Sequence, residues 1–301
     1  MADPATVDDP SVTAKNAQNV KNAVSSPAAV LKRNLIMNRF FAPSGTYPPA
    51  GLFSPFHIIM LMLSAAIIVT AVLLCRHAKA SFVRRQIQIL SLVLCALEVI
   101  KIVFNLLTGH ADSPNSYVPL YFCSITMYAG LMAGFAKGEV KRIGEVFLAT
   151  GGIIGGLAYL IYPLTSLTIY PPFHFISFHS FAFHTIMVYL GFLILTTGYI
   201  KLRPGDAFRH ALIICAVSLL ALILNLATDS NLMFISRNYP GTFLEILYNL
   251  FPGASFTIVM VLSQAFGPFY LVYPFWYLAQ RKKPQEDPAS EMHDKEVGNP
   301  L

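Results

Sequence analysis

Seven long apolar runs, each bounded by charged or turn-forming residues, constrain this chain more than any other feature. They cover residues 56–75, 87–108, 117–135, 143–162, 178–200, 211–228 and 255–277. A hydrocarbon core of ~30 Å takes ~20 residues of helix to cross, and in lipid only helices and closed barrels satisfy their own backbone. Runs this continuously apolar lack the alternation of barrel strands. The expected fold is therefore all-α, a polytopic bundle of seven transmembrane helices. Composition agrees: 55% of residues are hydrophobic and 12% charged, where a soluble domain carries roughly 25%. In a soluble protein the net charge of +6 would suggest nucleic acid, but here the basic residues gather at the ends of the runs. That is the pattern of membrane orientation, and no nucleic-acid partner is expected.

The loops give the orientation. Arg76, Lys79, Arg84 and Arg85 follow the first run, Lys137, Lys141 and Arg142 the third, Lys201, Arg203 and Arg209 the fifth, and Arg281, Lys282 and Lys283 the seventh. The loops after the second and fourth runs contain no Lys or Arg, and the loop after the sixth holds only Arg237. The positive-inside rule then places the C-terminus in the cytoplasm and the N-terminus outside or in a lumen, in a multi-pass protein of an endomembrane or the plasma membrane. Residues 1–54 read as a polar, partly flexible tail without the basic start and apolar core of a signal peptide, 55–280 as the membrane domain, and 281–301 as a disordered charged tail. Within the first tail, residues 35–53 carry enough aromatic surface to lie along the interface or fold back on the bundle.

A polar side chain inside a membrane is costly and marks function by default, so the depth of each one matters. Glu98 and Lys101 lie ten and seven residues before the outer end of the second run, ~15 and ~10 Å down at helical rise. Spaced i, i+3, they can neutralise each other. Counted as helix, Cys123 enters the third run roughly 9 Å deep. His174, His179 and His184 lead into the fifth run, Asn225, Asp229 and Asn231 close the sixth, and His57 opens the first. All of these fall in the outer half and the inner half carries almost none, so one polar cavity open to the outer side is expected. The alternative is a network that only holds helices together.

A thiol needs a neighbouring base or positive charge to become a nucleophile. His184, at nearly the depth of Cys123, is the first choice of base and His174 the second, with His179 at the interface. Histidines at spacings of five point to different faces of a helix, and His-x-x-x-His is absent, so no metal is expected. The four cysteines show no CxxC or Cys/His spacing, which excludes a redox motif or structural zinc. No Walker, Rossmann or kinase motif and no Gly-x-Ser-x-Gly elbow occurs, and no cofactor is expected. Gly151-x-x-x-Gly155 and Gly152-x-x-x-Gly156 read as a helix-packing face.

Together these residues resemble the transmembrane protein 164 family and its bacterial YwaF-like relatives. The matching pieces are Val118-Pro119-Leu120-Tyr121-Phe122-Cys123 for the family's Pro-Leu-x-x-Cys signature, and the glycine-rich 147–163 ending in Pro163. His174 through Ser180-Phe181 to His184 match the histidine segment, and Asn225 with Asp229, Asn231 and Phe234 match the sixth-helix end. Glu98 also fits, and the likeness covers most of 55–280. The resemblance implies a membrane acyltransferase that moves a polyunsaturated fatty acyl chain from a phospholipid to a lyso-ether phospholipid. It implies Cys123 as the acyl-accepting nucleophile and His184 or His174 as base; His179 departs from the pattern as a third candidate. Within such a site Lys101 or Asn225 would hold an oxyanion or a headgroup phosphate. Two other classes share the topology. A receptor would carry an Asp/Glu-Arg-Tyr step or an Asn-Pro-x-x-Tyr, which are absent; a transporter could use Glu98, Lys101 and Asp229 for ions or protons, but no paired inverted repeat is visible.

Overall fold

The computed structural model describes residues 39–109 and 114–281. Its helices are α1 (Pro55–Cys75), α2 (Ala80–Leu107), α3 (Ile125–Phe135), α4 (Gly138–Ile161), α5 (Phe175–Thr196), α6 (Asp206–Thr228), α7 (Phe243–Leu250) and α8 (Ala254–Arg281). No strand occurs among the described residues. Six helices, all but α3 and α7, are long and apolar enough to cross a bilayer.

The difference from seven lies in the run 117–135. Only its last 11 residues are helical, and at 1.5 Å per residue they rise ~16 Å, about half a hydrocarbon core. Pro119 supplies the reason, since it has no N–H to donate and holds the residue before it away from helical backbone. The chain turns there instead, with Val118 N bonded to Pro114 O at 2.8 Å and Leu120 N to Val118 O at 2.9 Å. Cys123 accordingly stands in the turn that leads into α3, and its depth cannot be counted by helical rise.

α4 and α5 form the centre. Each buries 67% of its apolar stretch, against 17–33% for the other spanning helices. α1 packs on α5; α2 on α3 and α5; α3 between α2 and α4; α6 and α8 on each other and on α4. The glycines of α4 permit these approaches. A Cβ at Gly144 would run into the Ala129 carbonyl of α3, one at Gly156 into Val188 of α5, and one at Gly155 would lie 2.6 Å from the Phe122 ring. α4 widens into a π turn at Leu148–Gly152, where the Phe147 ring stacks on His210 of α6.

The two ends of the bundle differ. Where α1, α3, α5 and α8 begin, the chain is tied mostly by apolar and neutral contacts, with an exposed ion pair of Arg237 and Asp229. Residues 39–53 fold back over this end: Phe40 packs on Phe175 and Phe178, Phe41 on Phe104, and Ala50 N and Gly51 N bond Tyr170 O and Leu167 O. His57 joins α1 to α4 through Leu160 O at 2.9 Å. The opposite end is held by charge. Asp206, fully buried, takes Arg142 at 2.5 Å and Arg209 at 3.2 Å, and Arg209 also pairs with Glu139. The expected flexible tail up to residue 38 and the charged tail from 282 lie outside the described residues.

Between α6 and α8 the chain turns back into the protein. Leu232, Met233 and Ile235 are fully buried, with Asp229, Met233 and Phe234 at positive φ. Irregular backbone inside a membrane bundle requires partners for its polar groups. Asn225 supplies four: its amide oxygen accepts from Leu232 N and the Ser230 hydroxyl, and its amide nitrogen donates to Leu232 O and Ser236 Oγ. Gln264 and Thr257 of α8 bond Met233 O and Ile235 O at 3.0 and 2.7 Å.

Candidate functional site

α2, the turn before α3 and α5 carry five of the expected residues in one region, where Tyr159 of α4 stacks on His184 and lies in the field of Cys123. On α2, Lys101 Nζ donates to Glu98 Oε1 at 2.6 Å. The Glu98 side chain is almost wholly buried while Lys101 keeps 24% exposure, so the ammonium forms the accessible edge of the pair. The Cys123 thiol lies in the electrostatic field of both charges. Its turn is pinned from three sides: Tyr128 of α3 donates to Pro119 O at 3.2 Å, Phe122 packs on Phe147, and Tyr121 on Phe234 of the buried loop.

The histidines separate by which ring nitrogens are spoken for. A carbonyl only accepts, so a ring nitrogen bonded to one carries the proton. His184 Nδ1 bonds Ser180 O at 2.6 Å, which leaves Nε2 as a bare lone pair; it is buried and without a partner among the described residues. His179 is the mirror case, with Nε2 on Leu97 O at 2.9 Å and Nδ1 buried without a partner among the described residues. Both imidazoles lie in the field of Lys101. Tyr159 of α4 stacks on His184 with ring centroids 3.6 Å apart and planes 9° apart, and its hydroxyl meets Ser166 Oγ at 2.5 Å. The ring of His184 is thus held by a carbonyl on one edge and a phenol across its face.

His174 stands differently. Its Nε2 donates to Ala42 O at 3.0 Å, and its Nδ1 accepts Ile176 N at 3.1 Å as the N-cap of α5. Neither nitrogen remains for a thiol proton, which corrects its expected role as second base. His57 is likewise occupied on both nitrogens, by Phe53 N and Leu160 O.

The expected contribution of the sixth-helix end is also corrected. Asn225 spends its amide on the buried loop, so it offers no donor to an oxyanion or a phosphate. Asn231 accepts from Ser236 N and Arg237 N and donates to Arg237 O. Asp229 is exposed at the left-handed C-cap of α6 and pairs with Arg237. These three residues order a loop instead of lining the cluster. Nor is the opposite half of the bundle as apolar as expected. His210 is buried there between Thr150 Oγ1 at 2.9 Å and Gln264 O at 3.2 Å.

A cavity of about 600 Å3 opens at the Cys123 end, lined by residues 44–49 with Thr168 and Ile169. It does not include Cys123, His179 or His184, around which rings and helices pack closely. No group of three or more His, Cys, Asp or Glu among the described residues is placed to hold a metal ion. Tyr159, Ser180 and Ser124 were not anticipated. Tyr159 carries no signal in the chain, being an ordinary residue of an apolar helix; Ser180 lies inside the quoted histidine segment and Ser124 beside the thiol, each legible only as a neighbour.

A thiol at a helix entrance, two charges acting on it and a neutral imidazole with a bare nitrogen form a set that can take a proton, present a sulfur nucleophile and counter developing negative charge. The family model of the TMEM164 family matches residues 52–273. Neither a curated protein nor a solved structure matches the chain.

Proposed function

Because the chain belongs to the TMEM164 family, an assignment that with its six apolar helices makes it an integral multi-pass membrane protein, we propose that it is a phospholipid acyltransferase working through an acyl-cysteine. It takes a polyunsaturated fatty acyl chain from a phospholipid and gives it to a lyso-ether phospholipid. The family resemblance supplies the substrate class. The observation that carries the chemistry is the bare Nε2 of His184, whose ring stacks on Tyr159, next to a Cys123 thiol that lies in the field of the Glu98–Lys101 pair.

The reaction divides into two matched halves. His184 Nε2 takes the Cys123 proton; the thiolate attacks the donor ester carbon, the C–S bond forms, and the bond to the leaving glycerol oxygen breaks. The proton on His184 passes to that oxygen and the lysophospholipid departs. In the second half the acceptor hydroxyl gives its proton to His184 and attacks the thioester. The C–S bond breaks and the proton returns to sulfur. Tyr159 and the Ser180 carbonyl keep the imidazole in the tautomer that both halves need. Lys101, with its partly open edge, attracts the phosphate of the lipid. By the positive-inside rule the Arg142–Asp206–Arg209 end faces the cytoplasm, so the cluster works from the lumenal or extracellular leaflet.

Reconstituted protein given a phospholipid with an isotope-labelled polyunsaturated chain and an unlabelled lyso-ether acceptor should form labelled ether phospholipid, and Cys123→Ala should form none. Equal product from both proteins would end the acyl-cysteine reading. A transporter that uses the Glu98–Lys101 pair for protons would make no product and would tolerate Cys123→Ser.

A further inference from the structure

The acyl-cysteine reading leaves one charge unaccounted for. When the thiolate adds to the ester carbon, the carbonyl electron pair moves to oxygen, and an oxyanion appears one bond from the carbon that sulfur now holds. Catalysis depends on donors already aimed at that position. Asn225, the amide expected to help, is spent on the buried loop.

Cys123 and Ser124 stand at the entrance of α3, whose first N–H groups have no partners within the helix. Ser124 is its N-cap residue, and an N-cap serine ordinarily turns its hydroxyl onto the N–H two or three residues on. This one does not. Thr126 N and Met127 N bond instead to the carbonyls of Cys123 and Ser124, at 3.0 and 3.2 Å. The Ser124 side chain is only 1% exposed, and its hydroxyl has no hydrogen-bond partner among the described residues. A buried hydroxyl without a partner costs about 1–3 kcal/mol, a cost that alanine would avoid at the same volume of backbone. Beside it, the N–H groups of Cys123 and Ser124, just ahead of the helix, donate to no backbone carbonyl among the described residues.

We propose that the entrance of α3 is the oxyanion site, with the Ser124 hydroxyl and the Cys123 and Ser124 N–H groups as its donors. The site takes the tetrahedral intermediate of an oxyester on the way in and of the thioester on the way out. As the intermediate collapses, the oxyanion pair re-forms the carbonyl, the bond to the leaving oxygen or sulfur breaks, and His184 returns its proton to the leaving atom. Ser124 is then a catalytic residue, since its hydroxyl touches the reacting oxygen. This rests on the acyl-cysteine reading.

The test follows the initial rate at which Cys123 gains an acyl group from a phosphatidylethanolamine donor, by rapid quench and intact-mass analysis of full-length protein in detergent. The wild type, Ser124→Ala and Ser124→Thr are compared, with thermal melting recorded for each. Ser124→Ala should melt at or above the wild-type temperature while its acylation rate falls roughly 100- to 1,000-fold. Its dependence on donor concentration should be unchanged, and Ser124→Thr, which keeps the hydroxyl, should recover most of the rate. A Ser124→Ala protein that acylates at the wild-type rate overturns the proposal. So does a fall shared equally by both variants and matched by a lower melting temperature, because that marks a packing role. If wild-type Cys123 never gains an acyl group, the acyl-cysteine reading itself has failed, and the oxyanion site falls with it.

Discussion

His174 caps α5 and His184 lies ten residues on, near the middle of the helix, and their ring nitrogens assign them opposite work. His184 keeps Nε2 bare, so His184→Gln should remove the proton carrier and lower turnover by roughly 100- to 10,000-fold with little change in melting temperature. His174→Ala should do the reverse. It strips a helix cap and the bond to Ala42 and should cost about 1–2 kcal/mol, while turnover per folded molecule stays near wild type. Parallel melting curves and turnover numbers distinguish the two; a catalytic collapse in His174→Ala with an unchanged melt would contradict the assignment. From the chain alone, both histidines ranked as bases because depth and spacing were the only quantities to weigh. What separates them is the second ring nitrogen, which accepts Ile176 N in His174 and has no partner among the described residues in His184, and no spacing encodes that. The Glu98–Lys101 pair was legible because i, i+3 on a helix fixes contact locally.

At the scale of elements, the glycines of α4 decide how closely its neighbours approach. Gly144 faces the backbone of α3, which cannot yield, so Gly144→Ala should overpack the α3–α4 contact and destabilise by about 1–3 kcal/mol. At Gly152 a Cβ would meet only ordinary contacts at 3.6 Å. Gly152→Ala should be neutral or stabilise slightly, since alanine loses less backbone entropy in a helix. Thermal melts of the two variants check the contrast, and equal losses would contradict it. That α4 packs through glycine could be read from Gly-x-x-x-Gly. That the run 117–135 would not be one helix could not be read from hydropathy, because Tyr117, Val118, Leu120 and Phe122 are as apolar in a turn as in a helix. Only Pro119 hinted at the break. The buried loop of Leu232 to Ile235 escaped for a related reason: a four-residue apolar stretch is too short to register as a span, and its flanking Asn and Ser residues read as lumenal loop.

Among the described residues, one end of the molecule is closed mainly by neutral hydrogen bonds and aromatic rings, with the exposed Arg237–Asp229 pair at its surface, and the other by the Arg142–Asp206–Arg209–Glu139 network around a buried carboxylate. This asymmetry predicts its orientation. A Lys201→Cys variant in sealed cells should resist a membrane-impermeant maleimide until the plasma membrane is permeabilised, and labelling of intact cells would reverse the proposed orientation. Fold class and six of the spans were legible because length and continuous apolarity follow from the bilayer itself. The convergence of α2, α4 and α5 on Cys123 was not, because it depends on which helices neighbour one another. The central claim is that Cys123 carries the acyl group, and the most direct measurement is the intact mass of the purified protein after incubation with phospholipid, before and after hydroxylamine. Wild type should carry a fatty acyl mass that hydroxylamine removes, His184→Gln should load it far more slowly, and Cys123→Ala should never show it. A folded wild-type protein that turns over lipid without ever bearing that adduct, or an adduct that persists in Cys123→Ala, would contradict the account.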